Sequence, residues 1–580
     1  MPAKYQQAFL RALSRWDQDY DPAVQMIRKP FSSPGYHTTL KEGFVHPTRD
    51  SLVYALALLD HGDVSRAESV IGKVISLQDA DTEHDTYGLW SWFYEEPLEK
   101  MSPPDWNWAD FCGQELLAIF LEHAGVLSPE KLEKIQGSIF RAADSILRRD
   151  VSPNYTNIAL MGSFVTLVAG EFFGEKRYFN YGRKCLARVW QQTQAAGSFA
   201  EYNSPTYTMV ALDELARLRN YVRDQASRRR IESLYKLAWL IVAKHFHAPT
   251  QQWAGPYSRA YGNIQSAGFC SRLQLATGIP FVEEPTLDLS CPRVDWSCPR
   301  ELVTYFQALG APRTERVLVS RQERQVATTC LEEKFALGTF AKATLWNQTR
   351  GLVAHWQGSQ GPAYLQLRAL HDGYDYCSAV LHSVQSGGSV LGVVNFATDG
   401  GDAHPNLDMV RQGTITARDF RLRFEFSDPG IKLPQTVKAG EFAAFQLGEV
   451  ELELGIAQAR FGELPVSLET GKDQQHAWLD LVFYRGEARK LNFRALCAYA
   501  VFALQLHQAG QGRLEPVQLQ SSPQLAIRWQ TGEETLQLQA NSHAGSMAEL
   551  WAEGPGVVAG ESILALAVPD FSEEDHDRCR

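Results

Sequence analysis

At 580 residues the chain is too long for one compact core, and roughly two to four domains are expected from that length. A composition of 44% apolar and 21% charged residues excludes extensive disorder. The net charge of −11, with no basic run, argues against a nucleic-acid partner and leaves any acidic ligand to a local basic pocket.

The opening "MPAKYQQAFLRALSRWDQDY" lacks a basic stretch, a continuous apolar stretch and a small-residue cleavage site, so no signal peptide is read there. No run of about 18 apolar residues occurs, so no membrane span is expected. Nine cysteines is an odd number, scattered without CxxC spacing, with Cys291 and Cys298 the nearest pair. Reduced thiols and a cytoplasmic location are the expectation.

The first half reads as paired helices. In "DSLVYALALLDHGDVSRAESVIGKVISLQ", Asp50 is placed as a cap, Leu52, Leu56 and Leu59 share a face, and "HGD" turns the chain into a second helix. "LSPEKLEKIQGSIFRAADSILRR" repeats this grammar, with Ser128 as cap and Pro129 at the first helical position. Further helices are predicted from near Trp106, Asn157, Pro205 and Arg229. Recurring hairpins of this kind stack as an open solenoid or close into a toroid.

After about residue 310 the period changes from helical to alternating. "GTITARDFRLRFEF", "EVELELGI", "QLAIRWQ" and "TLQLQAN" alternate apolar with polar, and glycine turns such as "SGGSV" and "DGGD" separate them. The fold class is therefore α+β multidomain: an (α/α) toroid over 1–310, followed by an antiparallel β-sandwich over 311–580. "SCPRVDWSCPR" reads as the approach to the boundary, which falls between 300 and 340.

Four links between helices are unusually rich in aromatic and polar residues. "HDTYGLWSWFYEEPLEKMSPPDWNWADFCG" holds Tyr87, Trp90, Trp92, Trp106, Asn107, Trp108 and Asp110. "SPNYTNIALMG" holds Asn154 and Asn157; "GSFAEYNSPTYT" holds Glu201, Tyr202, Asn203 and Tyr207; "WAGPYSRAYGNIQ" holds Tyr257, Arg259 and Tyr261. Flat aromatic faces beside amides and carboxylates suit sugar rings, whose C–H faces stack while their hydroxyls need directional partners. Each tryptophan alone is as readily a core residue plugging the helical array. Together the links point to a carbohydrate groove.

"GSFAEYNSPTYT", preceded by the asparagines of "SPNYTNIALMG", resembles the helical toroid of heparinase II/III-type and alginate-type polysaccharide lyases. The resemblance implies a stabilising asparagine, a catalytic tyrosine and a histidine supplied by the β-sandwich. Asn157 or Asn154 fits the first position, Tyr207 the second, and His355 in "GLVAHWQGSQ" or His371 in "LHDGYDY" the third. Many of these lyases place histidine or tryptophan directly after the asparagine, whereas Ile158 follows Asn157.

The implied chemistry is β-elimination next to a uronate. The C5 proton is weakly acidic, and an amide donor or cation facing the carboxylate stabilises the enolate-like intermediate. Asn157 and Arg259 suit that task. A tyrosine serves as acid or base if positive neighbours lower its ordinary value near 10, so Tyr207 is expected as acid, and as base in one variant, with His355 as partner.

The expected partner is an acidic oligosaccharide or polysaccharide, with neither nucleic acid nor membrane involved. No metal or organic cofactor is required. Asp399, Asp402 and His404 in "DGGDAHPN" carry donors for a divalent cation but read as a solvated turn. Three alternatives stay open: a glycoside hydrolase using Glu201 and Asp110, a uronate C5-epimerase, and a non-catalytic carbohydrate-binding protein.

Overall fold

The computed structural model describes residues 3–320, 322–402, 404, 407–508, 514–521, 524–532, 534–552 and 557–558. Its first half is a ring of helical hairpins: α1 (Ala3–Gln18), α2 (Thr48–His61), α3 (Val64–Ile75), α4 (Trp108–His123), α5 (Pro129–Arg149) and α6 (Thr156–Ser163), then α7 (Ala169–Phe173), α8 (Lys176–Ala196), α9 (Tyr207–Tyr221), α10 (Gln225–His245) and α11 (Ala267–Thr277). A wide turn, Phe164–Val168, joins α6 to α7.

Burial separates inner from outer helices. Helix α2 is buried continuously from Ser51 to Leu59, whereas its partner α3 buries only Ala67, Val70, Ile71 and Val74. A helix buried all round lies between two layers, and one with a single apolar stripe lies outside. By the same measure α4, α6 and α9 are inner, and α5 is outer. The stretch Thr156–Phe173 is long and apolar enough to cross a membrane, but 83% of it is buried inside the ring.

Polar contacts hold the ring together. On α9, Arg217 pairs with Glu214 and lies 3.5 Å from Gln114 of α4, a buried contact between inner helices. The ends of the array meet: the Tyr5 hydroxyl of α1 donates to the Ser271 carbonyl of α11 at 3.0 Å. Arg293 closes on Asp60 at the end of α2, 2.9 Å away.

Helix starts follow their local chemistry with one correction. Gly62 takes a left-handed φ of 93° and Asp63 accepts the Arg66 amide, so "HGD" is the turn expected there. Asp50, read as a cap, lies instead in the first turn of α2, where it pairs with Lys29 at 2.6 Å. A carboxylate there still favours the positive helix end.

From Arg313 onward the ordered elements among the described residues are almost all β. A ten-stranded sheet faces a six-stranded one, and a four-stranded sheet covers the far side of the latter. Leu337, Trp356 and Leu365 of the first sheet share a core with Leu381, Val394 and Phe502 of the second. Leu391 and Val501 on the opposite face pack with Ile527 and Trp529 of the third. Alternating strands supply both faces of each central layer, as period-2 patterning requires. The four quoted alternating segments lie in strands Thr414–Phe426, Val450–Phe461, Gln524–Thr531 and Glu534–Asn541.

The two architectures share a core. Val317, Ala327, Phe340 and Val353 of the large sheet belong to the same apolar cluster as the helices. Residues 252–263 run between them: Ala260 donates to the Gln348 carbonyl at 2.7 Å and Arg350 to the Tyr257 carbonyl at 2.9 Å. The approach is so close that a Cβ on Gly338 would sit 1.9 Å from the Gly255 oxygen, so only glycine fits there.

Candidate functional site

The site forms where three helix links and one sheet loop converge. Helix α8 ends at Gly197 in a left-handed turn (φ 94°), which releases residues 198–206 across the ring mouth. Asn203, also left-handed (φ 50°), donates to the carbonyls of Ala254 and Pro256 and accepts from the Trp253 indole. Ser204 then accepts the Tyr207 amide and donates to the Arg259 carbonyl at 2.6 Å. Tyr207 thus enters α9 fixed beside Arg259.

Arg259 organises the centre. Its guanidinium lies 4.4 Å from the centre of the Tyr207 ring and 5.3 Å from that of Trp346. It donates to Glu201 at 3.3 Å and, through two nitrogens, to the Gln348 side chain at 3.1 and 2.9 Å. The hydroxyls of Tyr207 and Tyr261 share a hydrogen bond of 2.6 Å. The backbone N–H of Asn157, at the start of α6, lies near enough to Glu201 to favour its ionised form. Among the described residues nothing bonds the Asn157 side-chain amide, although its oxygen is buried.

A second arm continues from Tyr155. Asn107 donates to the Tyr155 hydroxyl at 3.4 Å and accepts from Arg149 at 2.7 Å; Arg149 also lies 3.8 Å from Asp110. Tyr261, 62% exposed, stands between recesses of about 300 Å³ and about 380 Å³.

Burial dominates the electrostatics. It pushes the Glu201 carboxyl up to about 7 against the opposing pull of Arg259 and the Asn157 amide. It likewise pushes Asp110 up to about 8 despite Arg149. Tyr207 is raised above its ordinary value by burial and by its bond to Tyr261, which together outweigh Arg259. The expectation of a lowered Tyr207 is therefore corrected: the cation stacks on the ring and does not bond the phenolic oxygen.

The predicted residues divide. Asn157, Glu201, Tyr207, Arg259 and Tyr261 come together, with Asn107 and Asp110 on the adjoining arm. Asn154 is exposed on the link before α6. Trp106 is half-buried against the helical core, and Tyr87 lies in an outer turn beneath Arg148. Trp90 is fully buried with its indole bonded to the Val74 carbonyl, so it is a core residue. Trp92 and Trp108 stack on each other, bonding Asp105 and Thr48.

Tyr202, Asn203 and Tyr257 are also fully buried and structural: Tyr202 bonds His245 at 2.8 Å, and Tyr257 donates to the Trp253 carbonyl. His355 has no exposed surface, and its Nε2 bonds the Asn263 carbonyl at 2.8 Å. Burial pushes it down to about 4. His371 pairs with Asp408 and bonds the Thr416 carbonyl at 3.1 Å. Neither histidine is presented to the cleft, because each already closes a polar contact within its own sheet or between sheet and link.

Sequence reading missed Tyr155, Gln348 and Trp346. Tyr155 lies inside a quoted link and was available by its neighbours. Gln348 and Trp346 belong to a loop in the β half, and only tertiary packing brings them beneath Arg259. Asp399 accepts the Met547 amide, and parts of its turn, Ala403, Pro405 and Asn406, lie outside the described residues. Among the described residues no three His, Cys, Asp or Glu side chains gather to hold a metal.

Residues 6–271 match the profile of a domain of unknown function, DUF8769. No curated protein matches the chain. The fold is similar to a solved heparinase III, at 9% identity and a TM-score of 0.46, with 88% of this chain and 84% of that one covered. It is similar also to the Streptomyces coelicolor A3 chondroitin AC lyase solved with chondroitin sulphate, at 10% identity and a TM-score of 0.45, covering 93% and 89%.

Proposed function

We propose that the protein is a lyase that cleaves uronate-containing oligosaccharides by β-elimination. The observation that carries this reading is the Asn157 side chain, whose buried Oδ1 has no hydrogen-bond partner and whose amide N–H groups bond nothing among the described residues, in a cluster where Arg259 stacks on a paired phenol. An unpaired buried polar group costs about 1–3 kcal/mol, so a role for it with substrate is the economical explanation. Facing a uronate carboxylate, Asn157 and Arg259 stabilise the charge that develops as the C5 proton leaves. Tyr207, as its phenolate, takes that proton and as the phenol so formed returns it to the leaving oxygen; burial and the Tyr261 bond hold Tyr207 protonated, so this step is favoured toward alkaline pH. Exposed Tyr261 connects the pair to solvent. The eight cysteines among the described residues are unpaired, which fits a cytoplasmic enzyme acting on short acidic chains.

One observation favours a second reading. A carboxyl held near 7, as Glu201 is, suits the general acid of a glycoside hydrolase. Incubation with a panel of uronate polysaccharides separates the two. The lyase yields an unsaturated uronate that absorbs in the ultraviolet; new reducing ends without that absorbance overturn elimination and promote the hydrolase. Exchange of the C5 hydrogen with solvent, without cleavage, identifies the epimerase.

A further inference from the structure

Beside the Arg259 cluster, the recess of about 300 Å³ opens on the face of the large sheet and is lined by Tyr261, Trp346, Asn347, Arg350, Tyr364 and Arg368, among others. Its two arginines differ. Arg368 is fully committed, bonding Asp375 through two nitrogens at 2.9 Å and Glu425 at 2.7 Å. Arg350 has no carboxylate within salt-bridge distance among the described residues. Its side chain bonds only the Asn263 amide oxygen, at 2.5 Å, and the Asn347 carbonyl. Three of the five guanidinium N–H groups are left without a protein acceptor. The same wall holds two further uncommitted polar atoms, the buried Trp346 indole nitrogen and the buried Asn347 side-chain oxygen.

A partly buried guanidinium with unbonded N–H groups and no carboxylate in contact is costly, and a ligand carboxylate is its natural complement. We infer that this recess is a subsite for a second uronate, in which Arg350 holds the carboxylate and Trp346, shared with the Arg259 cluster, carries the sugar's apolar face. The recess favours one carboxylate over a multiply sulfated unit, because Asp375 and Glu425 balance Arg350 and Arg368 in charge and only the free N–H groups of Arg350 are left to receive an anion. Trp346 fixes the adjacency: it lines the recess while the Arg259 guanidinium lies 5.3 Å from its ring. The inference rests on the reading of the cluster as a uronate site, and it extends that site to at least two consecutive acidic sugars.

The test is equilibrium binding to the full chain carrying Tyr207→Phe, which prevents turnover. The probes are tetrasaccharides of glucuronate-, mannuronate- and galacturonate-containing chains, each beside its carboxyl-reduced neutral counterpart. At least one charged probe should bind tenfold or more tighter than its neutral counterpart. Arg350→Gln should reduce that discrimination at least threefold, leaving the share due to Arg259, and should leave the neutral probe unchanged, while Arg350→Lys keeps more of it. Because Arg350 also ties down Asn263 and Asn347, Asn347→Asp serves as a second variant: it supplies a contacting carboxylate within the protein and should likewise reduce the preference for charge. Undiminished discrimination in a folded Arg350→Gln or Asn347→Asp, equal weakening of charged and neutral probes, or no binding of any charged probe overturns the subsite. Ultraviolet product formation by the unsubstituted chain is scored separately. Arg350-dependent discrimination without that product leaves the subsite standing and removes the lyase reading; product with Arg350-independent binding does the reverse.

Discussion

Tyr257 and Tyr261 lie four residues apart on one link and do opposite work. Tyr257 has no exposed surface, donates to the Trp253 carbonyl and is surrounded by committed polar groups: Asn203 clamping the link, and His355 bonded to Asn263. Tyr261 points outward, shares a hydrogen bond with Tyr207 and borders two recesses. The inner side of the link is satisfied apart from the buried His355 Nδ1; the outer side holds a stacked cation, a raised carboxyl and an unpartnered amide. Residue type does not distinguish the two sides. What distinguishes them is whether each polar atom already has its partner within the protein.

The largest effect should come from exchanging phenols for phenyl rings on the two sides. Tyr207→Phe keeps the ring under Arg259 and removes the proton in transfer, so turnover should fall by about 10² to 10⁴ with the melting temperature unchanged. Tyr257→Phe should do the reverse, costing about 1 kcal/mol of stability with kcat near normal, measured by denaturant unfolding alongside kinetics. Equal kcat losses in both variants would erase the distinction between the two sides.

Asn157→Ala sharpens the same contrast. Its amide stabilises charge only in the transition state, so kcat should fall by about 10² to 10³ with little change in KM. Because the buried oxygen has no partner to lose, folding stability should stay level or rise. Destabilisation with normal kcat would assign Asn157 to the scaffold.

How much of this was legible in the sequence follows from the same distinction. Helical and alternating periods are local, so the change from hairpins to strands could be read near residue 310. The "GSFAEYNSPTYT" stretch was also legible, because its residue types are wrong for an ordinary turn. Which of its polar residues faced outward was not. Glu201, Tyr202, Asn203 and Tyr207 look equivalent in a string, but the left-handed turn at Asn203 and the Ser204 bonds send Tyr202 into the core and Tyr207 to the mouth. His355 failed for a related reason: alternation places a strand residue on one face, and the link covering that face comes from far away in the chain. Gln348 and Trp346 carried no local signal, since their role depends on the sheet docking beneath Arg259.

Glu201→Gln should give an intermediate effect whose pH dependence separates the two enzymatic readings. The folded chain binds the Glu201 proton more tightly than the unfolded chain, whose value is near 4.5, so stability falls as pH rises toward about 7. Removing the ionisable group should abolish that loss, worth up to about 3 kcal/mol above pH 7. In a lyase, ionised Glu201 orients Arg259, so kcat/KM of the unsubstituted enzyme should rise through pH 7 and the variant should lose that limb. A hydrolase using protonated Glu201 would instead decline above pH 7 and be nearly silenced in the variant.

The smallest change is expected from Tyr261→Phe, and its sign is the informative part. Tyr261 is exposed and contributes little packing, so stability should be nearly unchanged and kcat should move within about tenfold. Its hydrogen bond is, after burial, the largest of the influences that raise Tyr207. Without it, Tyr207 should ionise at a lower pH than in the unsubstituted chain. If Tyr207 must be ionised to take the C5 proton, the rising limb of the kcat profile shifts toward neutral pH, and activity near pH 7 increases relative to the maximum. If Tyr207 acts only as the acid, the falling alkaline limb is the one that moves to lower pH. A profile that does not shift at all would show that the 2.6 Å bond between the two phenols has no part in the chemistry, and that Tyr261 belongs with the scaffold despite its place on the outer side of the link.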